Sequence, residues 1–392
     1  MGCRQIWEDI YALEVFKNNT TLASIVAGSA TFGIGRHGVR GGFGTGVGNL
    51  VPKYNMLVDG AYPPLKASYK TVEKNLATGK SMQNVISLTP VTSKPDPVTI
   101  PLVWNAHNLS TIMKLFFQDG VTLTTGTANT ALQIMTCVPF ADACPIVYGN
   151  LVRFRQDTDG TDTVDQILKG VVPTRVLIKG EEGGVIEGEV EFLGAKWSHE
   201  DLSALLTNAI GYDETPPLKF EDLTVKLGTS TISIPSFEFT FSNTMVHHFY
   251  NEVNAVAVTL GRLKVEATVT IPWNDASAEG SDQQITDFAA GQSKLLQLIW
   301  GNPATAVVKG AAVPTLFGGV DTTSGNAKNS IVDNYFSINS MLRIMDYDEN
   351  DIDENPMVQT NFLGIVDEVN TLNGVTVFVG YNATKNNWTE TS

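Results

Sequence analysis

Between Arg262 and Ile271 apolar and polar residues alternate without a fault: Leu263, Val265, Ala267, Val269 and Ile271 fall on one side, Lys264, Glu266, Thr268 and Thr270 on the other. A period of two marks a strand with one buried and one wet face. The same alternation sets Glu189 and Glu191 against Val190 and Phe192, with Gly183-Gly184 as a hairpin turn before them. Shorter apolar runs predict further strands over 131–138, 146–155, 171–179, 185–193, 223–227, 232–241 (interrupted by Pro235), 335–345, 361–369 and 375–381. Leu109, Ile112, Met113, Phe116 and Phe117 follow the helical spacing instead, with Asn108 as a start cap and Gly120 as a stop. A second amphipathic run, 285–300, predicts a helix behind a capping box of Ser281 and Gln284 that ends before Gly301. Short helices are expected over 7–16 and from Ser198 to Leu205, the latter stopped by Pro216-Pro217.

The chain repeats itself. Val98-Thr99-Ile100-Pro101, Trp104-Asn105 and the helical run 109–117 return as Val269-Thr270-Ile271-Pro272, Trp273-Asn274 and the run 285–300. Val152-Arg153-Phe154, leading into Asp157, Asp159 and Asp162, is echoed by Leu342-Arg343-Ile344, leading into Asp346, Asp348, Asp351 and Asp353. The echoes predict a duplicated β unit. The expected fold is mainly β with minor α: two tandem antiparallel β-sandwich or barrel-like units, over 51–205 and 215–392, each with a flanking helix. A connector over 206–214 joins them, and a flexible N-terminal arm over 1–50, rich in glycine at 41–48, precedes them.

At 392 residues the chain fits two domains, and 43% hydrophobic content argues for packed ones. Its formal charge of −15 is uneven: 17 Lys and Arg stand against 19 Asp and Glu up to residue 210, and 9 against 22 beyond it, giving −2 and −13. The first 80 residues carry nine basic and five acidic side chains, so a basic arm and an acidic body suit contact between neighbouring copies. An acidic surface repels a phosphate backbone, which argues against tight nucleic-acid binding but suits DNA that must slide past. Cys3, Cys137 and Cys144 read as free thiols. Met1-Gly2-Cys3-Arg4 has Ile6 where myristoylation wants Ser or Thr, and no segment reads as a targeting signal or membrane span, so no membrane insertion is expected.

Catalytic and cofactor signatures do not assemble. Gly33-Ile34-Gly35-Arg36-His37-Gly38 matches GxGxxG, but Val39-Arg40-Gly41-Gly42 follows where the mechanism needs a helix, so a loop is expected. Asp346-Tyr347-Asp348-Glu349-Asn350-Asp351 starts like a calcium loop, yet Asp351 stands at position six and Met357 at position twelve, leaving a solvated acidic loop. His247 and His248 are adjacent and on a strand would face opposite ways. GxSxG, HExxH and spaced Cys/His sets are absent from the sequence, so an enzyme is not expected, nor a cofactor or metal site. Trp104, Trp197, Trp273 and Trp300 read as core.

Val185 to Trp197, Phe220-Glu221-Asp222-Leu223-Thr224-Val225 and Pro235-Ser236-Phe237-Glu238-Phe239-Thr240-Phe241-Ser242-Asn243 together resemble the tail tube proteins of long-tailed bacteriophages. The resemblance is one of pattern over about residues 50–390, of the kind with two fused tube domains. It implies a structural virion protein, three chains to a ring, stacked into a conduit for double-stranded DNA during ejection. It also implies partnership with itself, with tape measure and with tail terminator or tip proteins, assembly in the host cytoplasm and residence in the virion tail. Candidate lumen-lining carboxylates are Glu187, Glu189, Glu191, Glu266, Asp346, Asp348, Asp351 and Asp353. A β-sandwich receptor- or glycan-binding surface protein is the alternative reading, and a hydrolase with an unrecognised acidic site a more distant one.

Overall fold

The structure, a computed structural model, describes residues 7–16, 21–27, 49–50, 64–75, 85–125, 132–139, 146–157, 166–199, 217–228, 230–250, 254–273, 281–300, 313–314, 320–321, 335–352, 355–365 and 374–382. In the first half lie β1 (Trp7–Phe16), α1 (Leu22–Ala27), β2 (Asn49–Leu50), β3 (Ala67–Asn75), β4 (Val85–Pro95) and β5 (Val98–Val103). After them come α2 (Ala106–Phe117), β6 (Val121–Thr125), β7 (Leu132–Cys137), β8 (Gly149–Asp157), β9 (Gln166–Glu181), β10 (Glu187–Leu193) and β11 (Lys196–His199). The second half holds β12 (Leu223–Leu227), β13 (Ser230–Ile232), β14 (Ser236–His248), β15 (Ala257–Pro272), α3 (Ser281–Ala290) and β16 (Ser293–Trp300). It closes with β17 (Val313–Pro314), β18 (Val320–Asp321), β19 (Tyr335–Ile352), β20 (Asn355–Gly364) and β21 (Val375–Asn382). The chain is mainly β, and 17 of these strands belong to one connected antiparallel network.

Two long strands organise that network. The first part of β9 lies between β8 and β11, while its second part lies between β10 and β14. The first part of β19 lies between β16 and β21, and its second part pairs with β20. Each strand carries a bulge where it passes from one sheet to the next, at Thr174 in β9 and Met345 in β19, the usual device for bending a strand. Three sheet regions result: β2-β1-β8-β9-β11; a central seven-stranded region β5-β10-β9-β14-β15-β20-β19; and β6-β7-β21-β19-β16-β12-β13.

The connectivity of the first half recurs in the second. β5 leads through Trp104-Asn105 into α2 and pairs with β10; β15 leads through Trp273-Asn274 toward α3 and pairs with β20. β10 and β20 pair with the second parts of β9 and β19, β8 and β16 with the first parts, and β11 and β21 on the opposite side of those first parts. β1 pairs with β8 as β12 pairs with β16. The Val-Thr-Ile-Pro and Trp-Asn echo therefore falls on matching elements. The second echo does not, because Val152-Arg153-Phe154 lies on β8, whose counterpart is β16, while Leu342-Arg343-Ile344 lies on β19, the counterpart of β9.

Several expectations change. Residues 7–16 form a strand, paired along most of their length with β8, so this part of the expected arm is built into a sheet. The helix expected over 285–300 ends at Ala290, because Gly291 adopts φ +64° and the apolar run behind it pairs with β12 and β19 as β16. Ser281 is accordingly a helical residue rather than a cap. In α2 the cap is Asn105, whose side chain accepts from the Asn108 N–H at 2.8 Å, and the helix stops at Gln118 with φ 57°, two residues before Gly120. Ser198 lies in β11, while the helix expected behind it, the connector 206–214, the glycine-rich 41–48 and the GxGxxG segment 33–38 lie outside the described residues.

One apolar core runs through both halves, drawing Leu13, Ile100, Phe116, Phe239, Leu298, Phe336 and Val377 together. The face of α2 built on Phe116 and Phe117 meets Phe241 of β14, at ring-centroid distances of 6.0 and 5.7 Å. A smaller cluster gathers Leu22, Ile25 and Val26 of α1 with Tyr148, Val172 and Met245. Among the described residues no helix is long and apolar enough to cross a membrane.

Candidate functional site: an acidic face on an open sheet

Alternation along the seven-stranded region sorts its side chains. Ile100, Val190, Val176, Ile178, Phe239, Ala267, Val269, Val358 and Phe362 face the core. The register carries the opposite face across the sheet. Glu189 stands beside Leu177, Leu177 beside Thr240, Thr240 beside Glu266, and Glu266 beside Leu363. A second row runs from Glu187 through Lys179, Glu238, Thr268 and Asn361 to Asp346, and a third from Glu181 through Ser236, Thr270 and Gln359 to Asp348. Six sequence-derived candidates, Glu187, Glu189, Glu191, Glu266, Asp346 and Asp348, thus share one face although they come from three strands.

Asp351 pairs with Pro356 on the same hairpin, and Asp353 lies outside the described residues. The expected acidic loop over 346–351 is a strand, because the hairpin continues through Ile352 and Asn355 and its alternation keeps the carboxylates of Asp346 and Asp348 exposed. Asp157 ends β8, and Asp159 and Asp162 lie outside the described residues.

Carboxylates outnumber cations at the paired positions of this face: Glu181, Glu187, Glu189, Glu191, Glu238, Glu266, Asp346 and Asp348 against Arg175, Lys179, Lys264 and Arg343. Arg175 pairs with Glu189 at 2.7 Å and Lys264 with Glu266 at 2.7 Å. Both bridges are solvent-exposed and contribute on the order of 1 kcal/mol at most, so their effect is to tie up cations rather than to hold the fold. Sequence reasoning missed Glu238 and Glu181. Glu238 was readable from its place between Phe237 and Phe239; Glu181 needed the pairing with Ser236.

The sheet is open at both ends. β5 pairs only with β10, and residues 345–352 of β19 pair only with β20, among the described residues. The equivalent stretch of β9 carries β14 on its second side.

The remaining candidates resolve into structure. His247 and His248 face opposite ways: His247 is 8% exposed with Nε2 donating to Gly170 O at 3.3 Å, while His248 Nε2 meets Thr259 Oγ1 at 2.7 Å. Burial, with a smaller contribution from the neighbouring His248, lowers the His247 pKa to about 4 against the opposing effect of the Gly170 hydrogen bond. A folded pKa below the usual 6.5 means the neutral ring stabilises the fold fully above pH 6.5, with that stability lost as pH falls toward 4. The loss amounts to roughly 3 kcal/mol. His247→Gln keeps a donor for Gly170 O and removes the titration. Melting wild type and variant at pH 7.5 and 4.5 should give the smaller acid loss for the variant, and equal losses would overturn the assignment.

Cys137 is fully buried, and burial pushes its thiol far above the normal range with Lys114 only partly offsetting it, which leaves it inert. Cys3 and Cys144 lie outside the described residues. Trp104 and Trp300 are core, whereas Trp273 stays 42% exposed. The reason is local. Trp104 crosses Gly188, which has no side chain in the way, to donate Nε1 to Leu177 O at 3.1 Å; on β20 it is Val358 that pairs with Ile271, two residues before Trp273, as Gly188 pairs with Leu102 two residues before Trp104. Among the described residues no three His, Cys, Asp or Glu side chains converge as metal ligands would. Neither a protein-family model nor a curated protein matches the chain.

Proposed function

We propose that this chain is a structural subunit that assembles into stacked rings forming a phage tail tube through which double-stranded DNA passes. The observation that carries the reading is the open seven-stranded sheet: its inner face is apolar core, its outer face leans acidic, and neither of its edges is paired further among the described residues. A wall of this kind suits a channel. Carboxylates keep a polyanion from adhering, whereas each free Lys or Arg would add counterion-release affinity that resists sliding. The matching connectivity of the two halves supports two copies of one tube unit in a single chain, and a ring of three chains then has six similar units. The tape measure and the terminator or tip proteins are proposed partners by resemblance alone.

Negative-stain microscopy of the purified protein tests this, with rings or tubes enclosing a channel as the expected result. A protein that stays monomeric as its concentration is raised overturns it. Replacing Glu187, Glu189 and Glu191 together by Lys should leave assembly intact but make the tubes retain DNA in a gel-shift at low salt, where wild-type tubes release it.

A further inference from the structure

We propose that Met345, Phe288 and the free edge of β19 form a docking face for the first half of a second copy of this chain, joined head to tail. The inference rests on the self-assembly reading and deepens it, because the chain already contains a worked example of the joint. Within one molecule β14 pairs with residues 175–181 of β9, and Phe241 of β14 covers Phe116 and Phe117 of α2 beneath that strand. β19 and α3 are the counterparts of β9 and α2. Here the same features are uncovered.

Residues 345–352 have no second strand among the described residues, and Phe288 of α3 touches Tyr347 at 5.4 Å yet is 39% exposed, where Phe116 is 1% exposed. Met345, the bulge residue matching Thr174, is 53% exposed. The second half displays what the first half buries under the second.

Charge selects the first half of a second copy, joined head to tail. Two second halves meeting face to face would set −13 against −13, a repulsive pairing. The first 80 residues, nine basic against five acidic, complement Asp346 and Asp348 instead. A heterologous contact of this kind closes into a ring or runs into a filament.

The test uses two full-length variants in sedimentation velocity, with circular dichroism to check folding. Met345→Glu with Phe288→Glu blocks the second-half face; Lys66→Glu with Lys70→Glu reverses two of the nine basic charges of the first 80 residues. Each alone should weaken self-association by about tenfold or more. Mixed one to one, they should form a heterodimer through the single intact joint. A Met345/Phe288 variant that assembles like wild type, or a mixture without heterodimer when each variant is monomeric, overturns the head-to-tail face while leaving the ring reading standing. A wild type that never associates overturns both. If the double variant does not fold, Met345→Ser replaces it.

Discussion

Replacing Gly188 by alanine should cost about 4 kcal/mol or more, among the largest single effects available in the first half. A Cβ at this position would lie 1.8 Å from Leu177 O and 2.4 Å from Trp104 Nε1, and the first of these atoms belongs to the backbone of a strand paired on its other side. Nothing flexible can yield. Either β10 pulls away from β9, or the Trp104 ring leaves and forfeits its hydrogen bond to Leu177 O, exposing a side chain that is now fully buried. Gly183→Ala is the natural control: its φ of +76° makes alanine strained by about 1 kcal/mol, but no atom lies within 4 Å of the new methyl. Guanidinium midpoints should therefore fall steeply for the first variant and slightly for the second, with a red-shifted tryptophan emission only in the first. Equal midpoints would mean the slot over Gly188 does not anchor the sheet.

Where the sequence was legible, local pattern and tertiary pairing agreed. Leu223–Leu227 is a strand with the expected bounds, and the alternation at 262–271 lies inside β15 with Val265, Ala267 and Val269 buried as the period requires. The failures have a common cause. Residues 7–16 carry apolar side chains at spacings compatible with either element, and pairing with β8, about 140 residues away, decides for strand. The run 293–300 reads as helix by composition, but it is flanked on both sides by partners from other parts of the chain, and only Gly291 signalled the stop. Proximity of Asp346 and Asp348 to Leu-Arg-Ile also suggested an echo of β8. That match compared strands with different places in the network.

The acidic face was half legible for the same reason. Alternation alone identified Glu187, Glu189 and Glu191 as wet, but nothing local says that the wet sides of β10, β15 and β19 are one surface. That follows from β9 and β14 lying between β10 and β15, a pairing of strands from the two halves. The same junction joins the halves into one core, so damage on either side of it should be felt by both.

Phe241→Ala should cost about 4 kcal/mol and lower one cooperative unfolding transition rather than split it. The Phe241 ring is fully buried and touches Phe116, Phe117 and Phe239, the last at 4.9 Å, so truncation opens a cavity where α2 of the first half meets β14 of the second. The seven-residue pairing of β9 with β14 continues past that cavity, which keeps the halves coupled while each is weakened. Phe288→Ala, on α3, the counterpart of α2, removes a ring that is 39% exposed and in contact with Tyr347, and should cost only about 1 kcal/mol in the monomer. The contrast should reverse on assembly. If a second copy supplies what Phe241 supplies inside one chain, Phe288→Ala will weaken association far more than it weakens the fold, while Phe241→Ala lowers the unfolding midpoint at every protein concentration. Two separated transitions for Phe241→Ala, with the first half melting alone, would show that the halves are independent bodies and that the internal joint is a poor template for the external one.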